Sequence, residues 1–224
     1  NVQEVRGSVS SVTDNITHVQ AEKVWDLGYT GKGVIVAVID SGVNLDHVDL
    51  KDHLWDGGQE YPYHGYNFVN PGQAPYDDKG HGTHCAGTIC GDGTSGLATG
   101  IAPDATLMCL KTSSKTETST TFDRMSSAIE FAVEHGADII SISVGGWVND
   151  NVARAGFRQI FDNALNLGVI TSAAAGNNRQ YLTTTLPAPR NINSPSDCPP
   201  PWIHPDQQGN GTNVSGVVSV GGVN

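Results

Sequence analysis

The chain has 224 residues, of which 38% are hydrophobic and 16% charged, with 27 glycines. This length and composition are typical of a globular protein with a substantial core, which excludes a disordered chain. The net charge of −11 has the wrong sign for binding a phosphate backbone, and no apolar run is long enough to span a membrane, so we expect neither nucleic acid nor a membrane as a partner.

The N-terminal part of the chain predicts a leader followed by a short helix. Residues 1–17 are polar without a period, so we predict an extended leader that is not a signal peptide. Residues 18–27 carry apolar side chains at helical spacing, and a glycine follows them. In this interpretation residues 18–224 form one domain.

Five short apolar, β-branched runs predict strands at residues 34–39, 106–110, 139–144, 169–173 and 217–220. Two stretches between them, 120–135 and 151–167, have apolar residues at three- and four-residue steps and end at a glycine, which predicts helices. Strands that alternate with helices predict an α/β fold in three αβα layers around a mainly parallel sheet. Residues 179–216 contain seven prolines and predict a long surface loop.

Three polar groups follow predicted strands or begin the next helix, where parallel sheets place ligands. Asp40 comes directly after an apolar strand, either as a functional carboxylate or as a turn residue. His81 and His84 lie among small residues. Together with Asp40 they could instead be the ligands of a metal hydrolase, which is an alternative at this point. Asn177 ends a strand of alanines, as a hydrogen-bond donor into the space above the sheet or as a turn residue.

The order and context of these groups resemble the subtilase family of serine proteases. The resemblance extends from about residue 16 to 224 and rests on five motifs: Val38–Gly42, Gly80–Thr88, Gly100–Pro103, Ser143–Gly146 and Ala174–Asn177. It implies a subtilisin-like fold and peptide-bond hydrolysis by an Asp-His-Ser triad, with protein or peptide substrates.

The resemblance implies a role for each matched residue. His81 would be the general base and acid, Asp40 would orient it, and Asn177 would donate to the oxyanion. The backbone of Ser143, Val144 and Gly145 would pair with the substrate, and Ala174, Ala175 and Gly176 would line the pocket beside the scissile bond.

The resemblance also implies a possible cofactor and a thiol near the site. Asp49 matches an aspartate that helps to bind structural calcium in many subtilases, together with a loop that corresponds to Asp92–Gly96. Cys85 matches a cysteine that some members place beneath the catalytic histidine, either as a reactive thiol or as a small buried residue.

The serine of the family motif does not occur in the sequence. The only Gly-Thr-Ser, at residues 93–95, comes in the wrong order, so we expect the nucleophile beyond Asn224. On this interpretation the domain is incomplete at its C-terminal end, the remainder of the domain is a partner, and the chain alone is inactive. The alternative is a non-catalytic protein that binds peptides. The resemblance further implies a secreted or extracytoplasmic protein.

Overall fold

The computed structural model describes residues 14–97, 99–117, 120–146, 151–177, 192–193, 195–196 and 217–221. The strands are β1 (Ile35–Asp40), β2 (Gly65–Asn67), β3 (Thr106–Lys111), β4 (Ile139–Ile142), β5 (Ile170–Ala174) and β6 (Val217–Val220). The helices are α1 (Asp14–Val19), α2 (Ala21–Asp26), α3 (His81–Cys90), α4 (Phe122–Glu134) and α5 (Asn151–Asn166), with a 3₁₀ turn at Lys51–His53.

Within the described residues, the six strands form one parallel sheet in the order β2-β3-β1-β4-β5-β6. Strand β1 therefore lies between β3, which comes about 70 residues later, and β4, about 100 residues later. Because the strands are parallel, their carboxyl ends lie at one edge of the sheet. At this edge the segments that follow β3 and β4 leave the sheet on either side of the end of β1.

The side chains of β1 alternate between two cores. Ala37 and Ile39 pack on the face covered by α4 and α5. Val36 and Val38 face the other way, toward Ala86 and the rest of the α3 side. Burial on both faces explains the uninterrupted apolar run in this strand. The predicted three-layer α/β fold is confirmed.

Helix α3 begins in direct contact with the end of β1. A Cβ atom added at Gly82 would lie 2.1 Å from the carbonyl oxygen of Gly42 and 3.1 Å from the Cβ of Asp40. Only glycine at position 82 permits this approach, which brings the first turn of α3 beside the last residue of β1.

The N-terminal helix differs from the prediction. The helix expected at 18–27 is two helices, because Gln20 has left-handed backbone angles (φ 59°) and breaks them apart. Val19, Val24 and Leu27 are exposed, whereas Ile16 and Ala21 are buried, so the buried face is not the stripe that the sequence suggested. Helix α1 begins inside the predicted leader; residues 1–13 lie outside the described part.

The other elements match the prediction with smaller differences. The predicted strand at 139–144 ends at Ile142, and β2 and the 3₁₀ turn were not predicted. Helix α4 begins at Phe122, two residues after its predicted start, and the Thr121 hydroxyl caps it by accepting a hydrogen bond from the Arg124 N–H at 3.3 Å. Most of the predicted 179–216 loop lies outside the described residues.

The helices among the described residues are all too short or too polar to cross a membrane.

A pair of glycine substitutions in α3 tests the close approach to β1. Gly82→Ala places a methyl group against a backbone carbonyl, and we expect it to lower the free energy of unfolding by about 2 kcal/mol or more. Gly87→Ala meets nothing within 4 Å, and the gain in helix propensity should leave stability unchanged or raised by up to about 1 kcal/mol. Urea denaturation measures both; equal effects would contradict the assigned packing.

Candidate active site

The centre of the site is a hydrogen bond between Asp40 and His81. Asp40 is 1% exposed at the end of β1, and His81 is the first residue of α3. The Nδ1 atom of His81 lies 2.8 and 3.0 Å from the two carboxylate oxygens of Asp40. The backbone N–H of Ser41 donates to the same carboxylate at 2.6 Å, so the buried charge is satisfied and oriented.

This arrangement leaves the other ring nitrogen of His81 as a base. A carboxylate accepts hydrogen bonds, so the imidazole proton belongs on Nδ1 and the lone pair on Nε2. The side chain of His81 is 48% exposed, whereas that of its partner Asp40 is 1% exposed. A histidine held in this tautomer at a surface can take a proton from a nucleophile.

The predicted substrate-binding residues lie along the same sheet edge. Ile39 pairs with Ile142, and Ile142 pairs with Ala173. The next residues, Ser143 and Ala174, therefore continue at the level of Asp40. Because strands are about 4.8 Å apart, Ala174 lies about 10 Å from Asp40.

The remaining predicted residues follow these strand ends. Val144 and Gly145 continue half-buried after β4, outside any strand, and their pairing with a substrate stays a prediction. Ala175 is held by a hydrogen bond from its N–H to the Val220 carbonyl at 2.8 Å. Gly176 has φ 90°, and Asn177 follows it, exposed to solvent.

Cys85 lies one helical turn after His81, with its sulfur 3.9 Å from Nδ1. It is a free thiol, as are Cys90 and Cys109. Burial raises the pKa of Cys85; a hydrogen bond with the Ser143 side chain opposes this, and the charge of Asp40 adds to it. Burial raises the pKa of Cys90 to about 12.

Within the described residues, one group of three potential metal ligands occurs: Asp40, His81 and Cys85, whose ligand atoms lie within 4.8 Å of one another. His84 is exposed and does not join this group. The alternative of a metal hydrolase built on Asp40, His81 and His84 therefore gains no support from the geometry.

The predicted calcium position is occupied by protein donors. Asp49 is 7% exposed, and its two carboxylate oxygens accept hydrogen bonds from the backbone N–H of Ser95 at 2.5 Å and from the Ser95 hydroxyl at 2.7 Å. The neighbouring carboxylate of Asp92 accepts from the Thr94 N–H and pairs with His53. Calcium prefers six to eight free oxygen ligands, so these residues as arranged do not fit the ion, and calcium at Asp49 stays an untested prediction.

The Gly-Thr-Ser sequence at residues 93–95 lies away from His81. Helix α3 has ten residues, a length of about 15 Å, and it separates His81 at its start from Ser95 beyond its end. The Ser95 hydroxyl already donates to Asp49. Ser95 is therefore not in position to be the nucleophile.

A buried lysine that was not predicted from the sequence lies beside the site. Lys111 ends β3 next to Asp40, and its ammonium group donates to the Ser41 carbonyl at 2.5 Å and to Asp78 at 2.8 Å. Burial would raise the pKa of Asp78, but the hydrogen bonds from Lys111 and from the Lys115 backbone, with the charge of Lys111, together lower that pKa. The signal was available, because Lys111 follows an apolar run as Asp40 does.

Comparison with known proteins gives a consistent result. A family model described as "Subtilase family" matches residues 31–224. The chain is 37% identical over 173 residues to the minor extracellular protease Vpr of Bacillus subtilis strain 168, covering 73% of this chain and 20% of that protein. It is 33% identical over 177 residues to the major intracellular serine protease of the same strain, covering 75% and 50%.

Two further similarities agree with these. Thermitase of Thermoactinomyces vulgaris is 33% identical over 161 residues, covering 71% of this chain and 52% of thermitase. The crystal structure of a lanthipeptide protease superimposes with a TM-score of 0.66 at 25% identity, covering 92% of this chain and 53% of that one. The chain thus spans about half or less of the length of the relatives that it matches.

The contact between Ser95 and Asp49 can be tested by calorimetry. If the Ser95 donors stand in for a cation, excess EDTA and excess CaCl₂ should give the same melting temperature for the native sequence. Ser95→Ala should lower the melting temperature, because one hydrogen bond to a buried carboxylate is lost. The corresponding loss in the free energy of unfolding is about 1.5–3 kcal/mol. A calcium-dependent rise in the native chain would instead establish the predicted ion.

The thiol of Cys85 should react slowly with iodoacetamide. Its raised pKa leaves less thiolate at pH 8 than in a free cysteine, so the rate in the folded chain should fall below the rate in the same chain unfolded in urea. Mass spectrometry of the modified peptide gives both rates, with Cys85→Ser as the control. Faster labelling in the folded state would contradict this environment.

Proposed function

The chain belongs to the subtilase family, and we propose that it carries the acid–base part of a serine endopeptidase. The observation that supports this most directly is the hydrogen bond of 2.8 Å between His81 Nδ1 and the buried Asp40. Conversion of a weak nucleophile to a strong one needs a neutral imidazole with a fixed tautomer and an exposed second nitrogen. The Asp40–His81 pair has the arrangement for this.

In the proposed reaction His81 takes up a proton and passes it on, once as the acyl ester forms and once as it is hydrolysed. Nε2 takes the proton of a serine hydroxyl as its oxygen bonds to the carbonyl carbon of the scissile peptide. The same proton then passes to the leaving nitrogen as the carbon–nitrogen bond breaks, which releases an amine and leaves an acyl ester. Water hydrolyses the ester by the same two transfers. Asp40 stays ionised and stabilises the imidazolium that forms each time.

The proposal assigns the neighbouring strand ends to substrate and oxyanion. The side-chain amide of Asn177, exposed beyond the end of β5, would donate to the negative oxygen of the tetrahedral intermediate. The backbone from Ser143 to Gly145 would pair with the extended substrate, and the small residues Ala174 to Gly176 would leave space for the side chain before the scissile bond. This predicts weak sequence preference, because no charged group lies among these residues.

The proposal leaves the serine nucleophile outside these 224 residues, because no serine of the sequence lies in the family's motif and order. Among the described residues, the hydrogen-bond partners of the His81 imidazole are Asp40 and Cys85. We propose that the serine belongs to the remainder of the domain, which would be a partner of this chain, and that the 224 residues alone do not cleave peptides. Calcium and an extracytoplasmic location stay predictions; of the two Bacillus subtilis relatives named above, one is described as extracellular and the other as intracellular.

Labelling with a fluorophosphonate probe, which reacts with activated serines, tests the function. We expect the longest available form of the protein to be labelled and the 224-residue chain not to be. His81→Ala in the longer form should slow labelling by more than about 10³-fold, because the base is lost. His84→Ala is the matched control, since it removes an exposed histidine of the same helix and should leave the rate unchanged.

The outcomes separate the alternatives. Peptide binding by the longer form without labelling or cleavage would support a non-catalytic protein that binds peptides. Equal slowing by the two histidine substitutions would contradict the role assigned to His81. Labelling of the 224-residue chain itself would place the nucleophile inside it.

A further inference from the structure

We propose that Asp77 is a positioning residue for the Asp40–His81 pair, which rests on the function proposed above. Asp77 lies in the loop before α3, and its carboxylate accepts five hydrogen bonds. One comes from the strand side of the site and four from the turn and helix that carry His81. Its role was not predicted from the sequence.

The contact on the strand side comes from Ser41. Its hydroxyl donates to Asp77 Oδ1 at 2.9 Å, and the same hydroxyl oxygen accepts the backbone N–H of Gly82 at 3.0 Å. Ser41 directly follows Asp40, and Gly82 directly follows His81. Ser41 is fully buried, and its bond from the Gly82 N–H is shielded from water. The two residues of the pair are therefore connected through their chain neighbours.

The contacts on the helix side hold the turn that leads into α3. Asp77 Oδ1 accepts from the backbone N–H groups of Lys79 and Gly80, both at 2.9 Å. Oδ2 accepts from the N–H and the hydroxyl of Thr83 at 2.9 and 2.6 Å. The residue before the helix, Gly80, has no side chain to cap the first turn, so the carboxylate of Asp77 acts as the cap from three residues earlier.

Its charge suits this position. Burial would raise the pKa of Asp77, but the hydrogen bonds from Thr83, Lys79 and Gly80 outweigh it, and the pKa lies below its ordinary value. The carboxylate is therefore ionised at neutral pH, and a negative charge at a helix N-terminus is stabilising. Without it, the Ser41 hydroxyl that accepts the Gly82 N–H loses its own acceptor, and the donors of Lys79, Gly80 and Thr83 lose theirs, so His81 is the residue that would shift.

The geometry favours a positioning role over general stabilisation. Asp77 bonds to Ser41, which follows Asp40, to Gly80, which precedes His81, and to Thr83 in the first turn of α3. None of these residues belongs to the hydrophobic cores. Loss of these bonds should displace His81 relative to Asp40 more than it unfolds the sheet. A displacement of about 1 Å at a catalytic group can cost about 10²-fold in rate.

The test uses the His81 Nδ1 proton, observed by NMR in the ¹⁵N-histidine-labelled chain of 224 residues. In the native sequence this proton should exchange slowly with water and resonate at low field, because Asp40 holds it. Asp77→Asn cannot accept the Thr83 and Ser41 donors together with the backbone N–H groups, and should broaden the resonance or abolish it. Asp56→Asn is the control, since it removes the same charge from an exposed turn.

A second variant keeps the test decisive if Asp77→Asn does not fold. Ser41→Ala removes the strand-side bond to Asp77 together with the bond from the Gly82 N–H, and leaves the bonds of Asp77 to Lys79, Gly80 and Thr83 and its charge in place. It should also weaken the Nδ1 resonance while circular dichroism shows an intact fold. In the longest active form, Asp77→Asn should lower kcat by about 10²-fold with little change in KM.

The result that overturns the inference is a native Nδ1 resonance and unchanged kcat in folded Asp77→Asn or Ser41→Ala protein. Failure of the proposed function gives a different pattern. In that case no form is labelled by fluorophosphonate, yet the Nδ1 resonance still responds to Asp77 and not to Asp56.

Discussion

The hydrogen bond from His81 to Asp40 requires a helix to begin in contact with the end of a strand, and much of the surrounding structure serves that approach. Side chains normally separate a helix from a sheet, but here Gly82 lies against the backbone of Gly42. The buried hydroxyl of Ser41 accepts a hydrogen bond from the helix backbone at Gly82. Sterically, the site depends on what is absent at position 82 as much as on the two functional side chains.

The parallel sheet determines what else meets this pair. Strand β1 is central, so the chain segments that leave β3 and β4 emerge on either side of Asp40. Lys111 arrives from one neighbour and Ser143 from the other, and β5 adds its row of small residues one strand further. None of these residues is close to another in sequence, and the sheet order alone brings them to one edge.

The elements that could be predicted from the sequence are those with a clear hydrophobic pattern in their own residues. The strands that became β1 and β3 are buried on both faces and appear as apolar runs, while α4 and α5 have clear stripes and closing glycines. Strand β2 was missed because it has three residues, begins at a glycine with φ 147° and has no apolar run. Asp77 was missed because its role depends on a helix that begins four residues later and on Ser41, 36 residues earlier. The positions of Asp40, His81 and Asn177 could be predicted from motifs; what holds them could not.

The sheet order has a consequence for the way this chain folds. Strand β1 is made early, but its hydrogen-bonding partners β3 and β4 lie about 70 and 100 residues away, so no hairpin can protect it in the meantime. Pairings of such long range require the closure of large loops, and the entropy cost of closure comes before the free energy gained from pairing. Folding is therefore slow, and both edges of an apolar strand stay open to other chains in the meantime. The residue at the end of that strand is Asp40, so the acidic member of the pair acquires its surroundings only when the last of these partners has docked.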